Sequence, residues 1–174
     1  MAMLLRPNDE PDLWPKLFHE LKRDAFHLEV RDAYHVADED SRIRAFLAGE
    51  PAPYTRTPWQ DLMQKTTGRG VTVSRVRVVT EPLSDYQRWL LSVTGYNVEA
   101  GEDIRYVARN LAGEVPPDDW WLLDGERVVY NLTDPIGAPA GLAVTTDRGI
   151  VAYCQEVRER LWKLAIPYAE YAQR

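Results

Sequence analysis

Two apolar runs, Trp120–Leu123 and Glu126–Leu132, meet at the dipeptide Asp124-Gly125. Asp-Gly between such runs specifies a two-residue β-hairpin. Both central positions of that turn need positive φ, which glycine takes freely and aspartate tolerates. An antiparallel strand pair is thereby built into the chain. Alternation along the first strand sends Trp120 and Trp121 to opposite faces. One indole then belongs to a core, and the other is available to a pocket or an interface.

The remaining periodicities alternate between helix and strand. Leu13, Leu17, Leu21 and Ala25 recur at four-residue spacing, with Asp12 as a cap and Pro15 in the first turn. The period then drops to two at His27, Glu29 and Arg31, a short strand reaching Tyr34. A helix is expected over Asp38–Ala48, burying Ile43, Phe46 and Leu47 ahead of Gly49. After the proline-punctuated stretch Pro51–Pro58, Thr57-Pro58 starts another helix. Residues 71–79, Val-Thr-Val-Ser-Arg-Val-Arg-Val-Val, form the clearest strand. Glu81-Pro82 opens a helix with Leu83, Tyr86, Leu90 and Val93 inward, stopping at Gly95. Asp103–Ala108 is a strand, and Leu111–Pro117 an exposed irregular loop. A turn at Pro135–Pro139 leads to a strand at Leu142–Thr145. Asp147 then caps a closing helix with Ile150, Cys154, Val157, Leu161 and Leu164 as its stripe, interrupted near Pro167. Such interleaving predicts an α/β fold, with α+β as the alternative. The expected architecture is a single compact domain with a mixed central sheet of about five to seven strands, flanked by helices, the C-terminal helix packed on it. Residues 1–11 are expected to be a disordered tail and 12–168 the globular part.

Composition narrows the function classes. The 174 residues suit one domain with a sizeable core. A net charge of −6 disfavours direct nucleic-acid binding, which rests on phosphate neutralisation. The single cysteine, Cys154, excludes an intramolecular disulfide and reads as a small core residue. No signal-peptide pattern and no long apolar run occurs, so a cytoplasmic protein without membrane contact is expected. His19, His27 and His35 fall on different local structures, which gives no metal site. Neither a P-loop nor a Gly-x-Ser-x-Gly elbow is present, and no cofactor is expected.

One constellation stands out. Arg75 and Arg77 share a strand face, while Glu99, Glu102, Asp103 and Arg105 surround the next strand. Asp118, Asp119 and Asp124 bracket the tryptophan pair. An arginine buried without a partner costs several kcal/mol, so two readings stand. One is a network of structural Arg–carboxylate pairs. The other is a polar pocket in which Arg77 and Arg105 receive an anion by forked hydrogen bonds.

Several motifs in fixed order carry a family resemblance over residues 13–168. They are Ala25–Arg31 with Tyr34, Phe46–Glu50, Arg75–Val79 with Pro82-Leu83 and Asp85-Tyr86, Ala100–Arg105, and Asp119–Asp124. The chain resembles an actinobacterial family classed as a domain of unknown function. Its members accompany helix-turn-helix transcriptional regulators in loci of development and antibiotic production. The resemblance implies a non-enzymatic regulatory role through a protein partner, such as a helix-turn-helix regulator. Arg75, Arg77, Glu102, Arg105, Asp119, Trp121 and Asp124 would then form the working surface. A small anionic-ligand sensor is the alternative, and homodimerisation through an exposed strand or the C-terminal helix is open to either. The hairpin is also similar to one half of a phospholipase-D-type domain. Those enzymes place a His and a Lys seven and five residues before the motif Asp. Here Pro117 and Asp119 stand at those positions relative to Asp124, which implies a non-catalytic version; a divergent phospholipase-D-like enzyme without the usual His and Lys is the further alternative.

Overall fold

The structure is a computed structural model that describes residues 3–5, 12–51 and 54–174. Its elements follow the order β1 (Met3–Leu5), α1 (Leu13–His19), β2 (Asp24–Glu29), α2 (Ala37–Leu47), α3 (Pro58–Gly68), β3 (Thr72–Val79), α4 (Asp85–Glu99) and β4 (Glu102–Ala108). The second half holds α5 (Arg109–Ala112), β5 (Asp119–Leu123), β6 (Arg127–Thr133), β7 (Pro139–Thr145), α6 (Arg148–Leu164), β8 (Ile166–Pro167) and α7 (Tyr168–Tyr171). The strands form one eight-stranded mixed sheet in the order β1-β7-β6-β5-β2-β3-β4-β8. β2, β3 and β4 run parallel at its centre, and the β5–β6 hairpin with β7 adds antiparallel strands beside β2.

Helices cover both faces, giving the α/β class. On one face α6 buries Cys154, Val157 and Leu161 against Phe26, Leu28, Val76, Trp120 and Val128. On the other, Leu13, Phe18 and Met63 of α1 and α3 pack on Ala25, Val73, Trp121 and Val129. Strands covered on both sides read as nearly continuous buried runs, and β3 is buried from Val73 to Val79. Among the described residues no helix is long and apolar enough to cross a membrane.

Several local expectations hold with a stated mechanism. Thr57 and Gln60 form a reciprocal capping box at α3, with Pro58 in its first turn. Asp147 accepts from the amides of Gly149 and Ile150 at the start of α6. The hairpin turn has positive φ at both Asp124 and Gly125, but the ladder resumes only at Arg127, so the loop has three residues rather than two.

Other expectations are corrected. α1 ends at His19, and Ala25 lies on β2; Asp12 makes no side-chain cap. α2 buries no residue completely, and Leu47 is exposed, because the helix borders a cavity instead of a core. α4 starts behind the Ser84 cap and passes through Gly95 to Glu99. A Cβ on Gly95 would stand 3.2 Å from the Tyr168 hydroxyl, so this glycine serves close packing and does not stop the helix. The buried residues of α4 are Gln87, Trp89 and Thr94, while Leu83 before it and Tyr86, Leu90 and Val93 on it are half-buried. The stretch expected as a loop opens with α5, whose Ala112 is wholly buried. Of the expected tail, Met3–Leu5 pair with Leu142–Val144 of β7, and its other residues lie outside the described ones.

Candidate functional site

The sheet face opposite α6 carries charge at its centre. Parallel pairing sets His27 beside Arg75 and Glu29 beside Arg77, and the next strand brings Glu102 to the same face. Glu29 joins both arginines: one oxygen accepts from Arg75 Nη1 at 2.6 Å, the other from Arg77 Nε at 2.5 Å. Arg75 also donates from Nε and Nη2 to Glu102 Oε2, at 3.0 and 2.8 Å. Arg77 Nη1 donates to the hydroxyls of Thr94 and Tyr106, at 2.6 and 2.8 Å. The Trp59 indole N–H donates to Glu102 at 2.9 Å.

Burial by itself would raise the carboxyl of Glu29, but Arg75 and Arg77 outweigh it and hold Glu29 far below the usual carboxylate range. Opposite charges in a low-dielectric interior persist only when paired and hydrogen-bonded in this way. The reading of structural Arg–carboxylate pairs is therefore correct for Arg75, Arg77 and Glu102.

Above this floor lies a cavity of about 750 Å³, bordered by α1, α2, α3, α4 and the β5–β7 strands. Its size falls in the range of small-molecule sites. Trp14, Trp59 and Trp121 cluster at one end with ring centroids 5.6–6.2 Å apart, Trp14 and Trp59 edge-to-face and Trp121 tilted against both. Tyr34 and Tyr86 adjoin at 5.5 Å, and Tyr54 stacks on Tyr96 at 3.6 Å.

Three lining groups are less fully paired than the floor among the described residues: His27, Asp119, and Asn131, whose buried Oδ1 has no hydrogen-bond partner. His27 is 5% exposed, and neither ring nitrogen has a hydrogen-bond partner among the described residues. Glu29 is 3.6 Å from its Nδ1, beyond hydrogen-bond range. Burial, reinforced by Arg75, keeps the imidazole neutral, well below its ordinary pKa. Asp119, 3% exposed, accepts the Val30 amide at 2.7 Å and the Tyr34 hydroxyl. Burial and then the Glu29 charge push its carboxyl up to about 7.

The expected site residues thus divide. Arg75, Arg77, Asp119 and Trp121 line the cavity, and Glu102 anchors Arg75 from behind. Arg105 points to the opposite sheet face, where it pairs with Asp103 and lies 3.8 Å from the centre of the Trp162 ring. Register decides this: Arg105 pairs with Val76, one position out of phase with Arg75 and Arg77. Arg77 and Arg105 therefore do not form a common anion site. Asp124 sits at the far end of the hairpin, where its carboxylate accepts the backbone amides of Lys22, Arg23 and Asp24. Its role there is to fasten the turn to β2. Sequence reasoning missed His27, Glu29, Tyr34 and Glu39 as site residues. The two-residue spacing His27/Glu29, matching Arg75/Arg77, was the available signal.

The family model described as "Domain of unknown function (DUF6879)" matches residues 12–173. No curated protein matches the chain in sequence. Among solved structures, the phospholipase D family member Nuc from Salmonella typhimurium is similar with a TM-score of 0.57 and 10% identity, over 97% of each chain. NucT from Helicobacter pylori follows at 0.52 and 10%, over 96% of this chain and 97% of that one. The archaeal chromatin protein TrmBL2, whose structure shows a novel mode of DNA binding, matches at 0.55 and 15%. That match covers 95% of this chain, which spans about half (52%) of the TrmBL2 chain. These likenesses concern the fold alone: the phospholipase-D-like architecture expected from the hairpin is present.

Proposed function

This chain belongs to the DUF6879 family, and we propose that it is a regulatory domain that binds a small molecule in the cavity over β2, β3 and β5. The observation that carries this reading is the neutral, unpartnered imidazole of His27 in the wall of an aromatic-lined cavity. A buried polar group without a partner costs about 1–3 kcal/mol, a cost that a ligand hydrogen bond removes. The floor beneath it is rigidly cross-linked, as a preorganised site requires.

Catalysis is disfavoured by the side chains. In phospholipase-D-type enzymes a His and a Lys occupy the positions held here by Pro117 and Asp119. The two arginines on the floor are already neutralised by Glu29 and Glu102 and offer little to a phosphate. Signalling then passes to a protein partner, for which a helix-turn-helix regulator fits the acidic charge of the chain. A domain of this fold also makes up about half of a chromatin protein, the setting such a role would have.

A thermal-shift and tryptophan-fluorescence screen against a metabolite library tests the reading. At least one compound should stabilise the protein and lose its effect in His27→Phe. A library with no such compound overturns it, as does hydrolysis of bis(p-nitrophenyl) phosphate that disappears in His27→Ala. Co-purification with a neighbouring regulator at low and high salt tests the partner; no complex at either counts against it.

A further inference from the structure

The charges lining the cavity do not balance once the floor is accounted for. Arg75 and Arg77 are bound to Glu29 and Glu102. Among the described residues, the other charged lining groups are Glu39, Glu50 and Asp119, with Arg42. Glu39 and Asp119 make no ion pair among the described residues. Each takes a tyrosine hydroxyl instead, Tyr86 to Glu39 at 2.7 Å and Tyr34 to Asp119. The two tyrosine rings adjoin, so both carboxyls belong to one wall. The wall around them is aromatic, and ring faces attract cations through their quadrupole. His27 adds a neutral imidazole with a lone pair that accepts an N–H.

Resting on the reading of the cavity as a small-molecule site, we infer that its ligand is an organic cation: an amine or amidine whose charged head meets Asp119 and Glu39. Its apolar body packs among the tyrosines and tryptophans. The floor arginines are spent on Glu29 and Glu102, which disfavours an anion, and a bare metal ion would leave the aromatic wall unused. Both carboxyls stand above their usual range, through burial first, which outweighs the more distant arginine charges.

The test is titration calorimetry and thermal shift with matched triads on phenethyl, indolyl-ethyl and hexyl bodies: amine, alcohol and carboxylate. Stabilisation should be confined to amines. Asp119→Asn and Glu39→Gln should each weaken it at least about tenfold, the scale of one charge-assisted contact. Glu39→Gln lies on a half-exposed helix and keeps the variant set informative if Asp119→Asn folds poorly. Amine binding near pH 7 should also release protons from Asp119, read from the buffer dependence of the heat. Equal or stronger binding of alcohols or carboxylates, or binding insensitive to both substitutions, overturns the cation assignment and leaves the pocket reading standing. No binding by any member at millimolar concentration overturns both.

Discussion

The imidazole of His27 lies flat against the indole of Trp121, ring centroids 4.1 Å apart and planes 10° from parallel. The two residues are directly opposite each other across the β2–β5 pair. Cross-strand pairing therefore supplies the stack, and the stack holds a polar ring whose hydrogen bonds no group among the described residues completes. Shape is served at that position, and polarity is left to something else.

His27→Phe separates those two roles. Phenylalanine keeps an aromatic ring beside Trp121 and removes two unpartnered nitrogens. Stability in urea should be unchanged or raised by about 1 kcal/mol, since a buried polar group without a partner is a net cost. Ligand binding should be lost. A large destabilisation would show that the imidazole is satisfied in the folded protein.

Glu29→Gln should destabilise the protein by about 3–5 kcal/mol, because it leaves two buried guanidinium groups underneutralised. The Glu29 carboxyl has its folded pKa depressed below an ordinary 4.5. Its stabilisation is complete above that value and is lost as pH falls towards the folded pKa. Acid unfolding of the parent below about pH 4.5 should therefore be steeper than that of Glu29→Gln, measured by circular dichroism against pH.

Asp119 and His27 act in opposite directions over the mildly acidic range. Asp119 ionises at about 7 when folded against 3.8 ordinarily, so its contribution is present below 3.8 and declines as pH rises to 7. His27 stays neutral when folded against an ordinary 6.5, so stability rises with pH up to 6.5. In the parent the two trends partly cancel. Asp119→Asn should become more stable with rising pH to 6.5, and His27→Phe less stable towards 7, with slopes up to about 1.4 kcal/mol per pH unit. Urea unfolding at several pH values reads both signs, and identical profiles would contradict them.

Arg105→Ala and Asp124→Ala should leave ligand binding unchanged, since neither side chain reaches the cavity. Asp124→Ala should still cost about 1–3 kcal/mol, having removed the acceptor of three backbone amides and placed alanine at a φ of 52°. Calorimetric titration and denaturation of the same variants check both halves.

The hairpin, the Thr57 and Asp147 helix starts and the β3 strand were all legible because each depends on neighbours within a few residues. The length of α4 was not. Gly95 reads as a stop, and only Tyr168 packing against it, from far along the chain, explains why the helix continues. The grouping of Arg77 with Arg105 failed for a related reason. Each residue's face follows from alternation along its own strand, but their relation depends on the β3–β4 register, which no local pattern sets.

By itself the sequence determined an α/β domain with a charged strand face, an Asp-Gly hairpin and no His-Lys pair at the phospholipase-D positions. Only the tertiary structure decided that Glu29 is the bridge between Arg75 and Arg77, and that Asp119 and Glu39 form no ion pair among the described residues. Ion pairing in an interior is a matter of distances of a few ångströms between strands and helices distant in sequence. Charge composition states how many partners exist, and three-dimensional register alone states which ones meet.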